Sequence, residues 1–221
     1  MSFADEVIAF NRSLNLQAKL PAGVHVMNPF NNKITREYSE KFYRKFYDDK
    51  NQRTLILGIN PGRFGAGLTG IPFTDPVKLE KNCGIPNPFS KTTEPSAGFI
   101  YDMVAAFGGT EAFYNKYFIH AVCPLGFTKD GVNYNYYDSK LIEKAVKPFI
   151  IGSIKQVLSF QVNKEICYCL GNGKNFKFLS KLNSDHHFFK TVIPLPHPRW
   201  IVQYRRKKYD EFITEYLRIL Q

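Results

Sequence analysis

Apolar residues recur along the chain in two rhythms that alternate with one another. Residues 3–16 (FADEVIAFNRSLNL) and 35–47 (TREYSEKFYRKFY) repeat them every three to four positions, the spacing of one helical face, and the second segment has strongly basic flanks. TLILGI (54–59) is instead a short continuous apolar run ending at Asn60-Pro61-Gly62, as a buried strand entering a turn would. Residues 61–96 show no sustained period and predict a loop-rich stretch, long enough to carry function. A helix over 97–107 leads into a second strand, YFIHAV (117–122), stopped by Cys123-Pro124. Residues 138–159 predict a helix that starts near Asp138-Ser139 as caps and is perturbed at Pro148. EICYCLG (165–171) is a third strand, and Gly171-Asn172-Gly173 opens a helix over 174–182. TVIPL (191–195) is a fourth strand, ending in Pro196-His197-Pro198. The last helix, about 203–220, places Tyr209, Phe212, Ile213, Tyr216, Leu217 and Leu220 on one buried face.

Apolar strands alternating with helices predict a parallel sheet in an α/β sandwich. In such sheets ligands bind beyond the carboxyl ends of the strands. Three of the four strand ends here are chemically unusual: Asn60-Pro61-Gly62, Cys123-Pro124 and His197-Pro198. Their convergence is the main purely physical pointer to a site.

Composition sharpens that picture in one respect. With 221 residues, 44% of them hydrophobic, the chain suits one globular domain over 1–221 and lacks the make-up of a disordered protein. Thirty Lys+Arg against nineteen Asp+Glu give a net charge of +11, and 15% of residues are aromatic. A basic surface interleaved with aromatics suits a nucleic-acid backbone with stackable bases. The N-terminal stretch MSFADEVIAFNRSLN carries acids early, and no apolar run approaches the length of a membrane span. We therefore expect neither a signal peptide nor membrane association, and a cytoplasmic location, nucleoid-associated if the source is bacterial. The four cysteines do not form a disulfide pattern, and Cys167 and Cys169, spaced to share one face of a strand, read as core packing and not as a metal site.

The loop GINPGRFGAGLTGIPF (58–73) follows the first strand. It has neither the Lys-Ser/Thr of a phosphate-binding loop nor a G-x-G-x-x-G leading directly into a helix, which disfavours a nucleotide-binding oxidoreductase. It closely resembles the first motif of the single-strand-selective monofunctional uracil-DNA glycosylase (SMUG) family, within the uracil-DNA glycosylase superfamily. YFIHAVCPL (117–125) resembles the segment of that family leading into Cys-Pro-Leu, CLGNGK (169–174) its Gly-x-Gly turn, and His197-Pro198 its second catalytic motif. The four matches fall in order across most of the chain.

The resemblance implies a three-layer α/β sandwich with a central four-stranded parallel sheet. The implied activity is a monofunctional DNA glycosylase that flips a deaminated base, uracil foremost, out of single- or double-stranded DNA and hydrolyses its N-glycosidic bond. It implies no cofactor and no metal, with a monomer acting on DNA as its partner. Asn60 takes the place of the residue that positions the attacking water. His197 takes the place of the histidine that stabilises negative charge growing on O2 of the base. Phe73 matches the aromatic that stacks on the flipped base, and Ile59, Gly62 and Phe64 match positions lying against it.

Two departures from the family pattern matter. Where the family carries an Asn whose amide reads the pyrimidine edge, this chain has Ala121. Ala121 and the neighbouring His120 are candidate base contacts, with His120 or the backbone open as a replacement for that amide, although strand alternation favours turning the His120 ring to the opposite face. The longer Ser-Pro-Arg-Asn-Pro wedge of the family is reduced here to His197-Pro198-Arg199-Trp200. Lys174, Arg199 and the run Arg205, Arg206, Lys207 and Lys208 are the expected DNA contacts. The missing amide leaves a xanthine- or hypoxanthine-preferring glycosylase as the alternative. A catalytically inactive DNA-binding relative is disfavoured by the presence of both Asn60 and His197.

Overall fold

The computed structural model describes residues 1–220. In chain order the strands are β1 (Val24–Met27), β2 (Arg53–Gly58), β3 (Tyr117–Ala121), β4 (Gly126–Lys129), β5 (Val132–Tyr134), β6 (Val162–Leu170) and β7 (Thr191–Leu195). The helices are α1 (Phe3–Ser13), α2 (Lys33–Tyr47), α3 (Ala66–Thr69), α4 (Pro76–Lys81), α5 (Pro95–Phe107), α6 (Thr110–Lys116), α7 (Lys140–Val157), α8 (Lys174–His186), α9 (Pro198–Tyr204) and α10 (Tyr209–Leu220). Strands β3-β2-β6-β7 form a four-stranded sheet, parallel throughout. Helices cover both faces, as expected for strands whose residues are apolar on both sides.

One face carries Leu55, Leu57, Phe118 and Cys169. Phe3 of α1 packs edge-on to Phe118 at 5.1 Å, Asn175 of α8 touches Cys169, and Ser153, Ile154 and Val157 of α7 close over Leu55 and Leu57. The other face carries Tyr117 and Tyr168, whose hydroxyls donate to the Leu220 and Ile219 carbonyls at the end of α10. The free cysteines Cys167 and Cys169 are fully buried, and among the described residues no three His, Cys, Asp or Glu side chains gather as metal ligands. No described helix is long and apolar enough to cross a membrane.

Several features differ from the sequence-based expectation, among them α6, which the pattern did not predict. A small antiparallel sheet, β1-β4-β5, lies outside the strands predicted from apolar runs, because its strands are short and half exposed. Its hairpin turn is Asp130-Gly131, with φ of 50° and 72°, the left-handed pair that a two-residue turn of this kind requires. The stretch 61–96 contains α3 and α4. The final helix is two helices: α9 starts at Pro198, and a short 3-10 turn, Arg206–Lys208, separates it from α10. The cationic run opposes the positive end of a helix, whereas α10 begins with Asp210 and Glu211 in its first turn.

Candidate active site

The carboxyl ends of β2, β3 and β6 and the start of α9 enclose a cavity of about 400 Å³. This is within the range of sites that enclose a small molecule. Parallel pairing continues past the strands, since Val122 N–H donates to Gly58 O (3.0 Å) and Cys123 N–H to Ile59 O (3.1 Å). These two bonds lock the floor of the cavity.

Asn60 follows directly. Its Oδ1 accepts from Tyr136 N–H at 3.2 Å, and its Nδ2 lies 3.4 Å from the carbonyl oxygens of Tyr134 and Pro61. One backbone donor and two backbone acceptors leave the amide a single orientation. The residues beyond β5 that hold it were not singled out from the sequence. The Asp130-Gly131 turn signal was the available clue.

Phe73 has φ of 53°, a left-handed conformation that costs a bulky residue roughly 1–2 kcal/mol. Held so, its ring lies on Gly58, where an added Cβ would come within 2.8 Å of Phe73 Cε2. The ring centroid is 5.9 Å from that of His197, tilted by 51°.

His197 caps α9. Its Nδ1 accepts from Arg199 N–H at 3.1 Å, so the neutral ring carries its proton on Nε2. Burial, with the Arg199 guanidinium adding to it, lowers the His197 pKa to about 4. The imidazole is therefore an uncharged donor at neutral pH. The Tyr216 hydroxyl donates to the carbonyl of Pro196 and ties this turn to α10.

The Ala121 methyl shares the face of Gly58, its partner in the parallel register. The ring of His120 points the other way, stacked on Phe118 at 5.4 Å and edge-on to Phe10 at 5.4 Å. What His120 offers near Gly58 is its carbonyl oxygen, 3.6 Å from where a Gly58 Cβ would sit. Among the described residues His120 Nε2 is buried with no partner, and burial alone lowers its pKa to about 4. The unfolded chain protonates this histidine near 6.5 and the folded one only near 4, so its stability contribution is complete above 6.5 and lost as pH falls toward 4. That loss is about 3 kcal/mol by pH 4. His120→Phe should accordingly shrink the drop in melting temperature between neutral and acid pH; an unchanged drop would show that His120 is not an acid-labile point.

The remaining expected residues divide. Ile59, Gly62, Lys174 and Arg199 line the cavity with Asn60, Phe73, Ala121 and His197. Phe64 does not: it is half exposed outside the lining, with the Arg63 guanidinium 4.9 Å over its ring. Arg205, Arg206, Lys207 and Lys208 are exposed and outside the lining, directly following Gln203 and Tyr204, which do line it; Arg205 stacks on Trp200 at 4.8 Å and Lys208 pairs with Glu211. Sequence reasoning missed Glu94, Asn133, Tyr136 and Asn175. The Tyr136 hydroxyl donates to Asn175 Oδ1 (2.7 Å), and Asn175 Nδ2 donates to Leu170 O (3.0 Å), so one tyrosine braces both the Asn60 loop and the end of β6.

A uracil DNA glycosylase superfamily model matches residues 44–221. The crystal structure of wild-type SMUG2 from Pedobacter heparinus superposes with a TM-score of 0.97 at 50% identity, covering 99% of this chain and 97% of the other. No protein of curated function matches the chain. With a family model spanning most of its length and a SMUG2 structure half identical to it, the chain belongs to the uracil-DNA glycosylase superfamily as a SMUG-like member, a monofunctional DNA glycosylase of base-excision repair.

Proposed function

We propose that this enzyme takes a deaminated base, uracil foremost, into the cavity between Phe73 and His197 and releases it by hydrolysis, leaving an abasic site. The observation that carries the reading is the His197 ring, held neutral and in one tautomer with its only donor on Nε2. A preorganised N–H aimed at O2 of the base stabilises the charge that develops there as the glycosidic bond breaks, and stabilises it more in the transition state than in the ground state. The sugar left behind is oxocarbenium-like, so the attacking water needs orientation more than a strong base. The Asn60 carbonyl, tied at one lone pair to Tyr136 N–H, has a second to orient that water. Phe73 stacks on the base and offsets part of the cost of unstacking it. Lys174 and Arg199 at the mouth, with the run Arg205–Lys208, contact phosphates, and the protein acts as a monomer in the cytoplasm.

A preference extending to xanthine is favoured by one feature, the methyl of Ala121 on the cavity wall. A site without a side-chain amide there lacks both an attraction for uracil and a penalty against bases that pair differently. Single-turnover excision from oligonucleotides carrying uracil, xanthine, hypoxanthine or an oxidised pyrimidine tests the reading directly. Activity on none of them would overturn it. Ala121→Asn should raise the uracil-to-xanthine rate ratio by roughly 3- to 10-fold, the worth of one added hydrogen bond. A level or falling ratio would show that position 121 does not set base choice.

A further inference from the structure

Glu94 lies immediately before α5 and lines the same cavity as Asn60, Phe73 and His197. Its backbone is pinned, since Glu94 N–H donates to Asp75 Oδ2 at 2.8 Å. Its side chain is not used as a helix cap, and among the described residues its carboxyl makes neither a hydrogen bond nor an ion pair. The carboxyl rests instead on the glycines of the first motif. Oε1 is 3.7 Å from where a Gly62 Cβ would sit, and Oε2 occupies the place a Cβ would need at Gly65. Across Gly62, Asn133 Nδ2 is 3.5 Å from the same point, while Asn133 Oδ1 accepts from Arg63 N–H at 3.1 Å. Two other amides of the cavity are already engaged, Asn60 by the backbone near β5 and Asn175 by Tyr136 and Leu170.

We propose that Glu94 is a base-contacting specificity residue, its carboxyl making the hydrogen bonds to the edge of the flipped base that the Ala121 methyl cannot make. The inference rests on the reading that a deaminated base enters this cavity. A half-buried carboxyl that lines the cavity without a protein partner is free to bond a ligand that displaces water from it. Burial raises the Glu94 pKa to about 7; the Asp75 carboxylate adds to the rise and the Arg199 guanidinium opposes it. Of the other charged groups, Lys174 also lines the cavity, with its ammonium 5.9 Å over the Tyr137 ring, the Arg63 guanidinium lies over the Phe64 ring, and His197 is neutral. A protonated carboxyl offers one donor and one acceptor, matching the N–H beside a carbonyl that uracil, hypoxanthine and xanthine share. Once ionised it only accepts, and it meets the base carbonyl with repulsion. Excision should therefore fall as pH rises through about 7.

The test follows single-turnover excision of uracil and xanthine from roughly pH 6 to 9, with binding of the free bases read from the fluorescence of Trp200, the only tryptophan. Glu94→Gln, permanently neutral with the same donor and acceptor, should keep excision and base binding within a few-fold of wild type and abolish the alkaline fall. Glu94→Ala should weaken base binding about tenfold, as expected for a lost hydrogen bond. A wild-type rate that rises with pH, with Gln as damaging as Ala, would make Glu94 a proton acceptor for water and overturn the proposal. Base binding unaffected in Glu94→Ala would overturn it as well. In both cases wild-type excision leaves the proposed function standing, whereas a wild type inactive on every deaminated base removes that function and this role together.

Discussion

His197→Ala and Asn60→Ala should each lower single-turnover excision by about 10²–10³-fold, the usual cost of one preorganised transition-state contact. DNA affinity should change far less, because phosphate contacts from exposed cations dominate it. The two losses have different origins. Without His197 the charge growing on the base has no donor, and without Asn60 the water loses its orientation. His197→Ala also removes the side-chain cap on Arg199 N–H, so a folding control is needed. Helix caps are worth about 1 kcal/mol, which a melting curve resolves. Because burial holds the His197 pKa near 4, its protonation should not limit the rate near pH 6.5. Rates near wild type in both variants would sink the assignment of roles.

Phe73→Ala should cost about 5- to 150-fold, the worth of one base–aromatic stack at about 1–3 kcal/mol. The loss should appear as weaker capture of the flipped base, with the bond-breaking step in the bound state less affected. Gly58→Ala should reproduce part of it, since the new Cβ would displace the ring it now carries. A third variant separates stacking from backbone strain. Phe73→Gly loses the same ring but relieves the left-handed backbone at φ 53°, so it should unfold about 1 kcal/mol above Phe73→Ala while excising equally slowly. Equal stabilities would mean that the conformation is not strained. Excision at the wild-type rate in Phe73→Ala would remove the stacking role.

The SMUG2 likeness covers the whole fold at 50% identity, and base choice is proposed here to rest on a few residues of the cavity wall. Ala121, Glu94 and Asn133 come from β3, the segment before α5 and β5, and all three line the cavity. On the proposed reading, substitutions there should alter which base fits while leaving the elements that hold Asn60 and His197 in place.

The four parallel strands and most helices were legible in the sequence because each is a long or strongly apolar segment whose burial dictates its period. The same holds for the strand-end residues Asn60 and His197, which a parallel sheet brings to one edge whatever lies between them. Turn chemistry was legible too, and the Asp130-Gly131 signal could have revealed the hairpin that apolar periodicity passed over. What no local pattern encodes is the set of contacts between segments far apart in the chain. Tyr136 orienting Asn60, Phe73 lying on Gly58, His120 turned toward Phe10, and Glu94 pressed into a gap left by Gly65 all depend on packing between distant residues. Sequence by itself determined the sheet, the family resemblance and the two strand-end residues proposed for catalysis. Tertiary structure alone decided their orientation, their protonation and the wall that faces the base, because those depend on which distant groups remove water and supply hydrogen bonds.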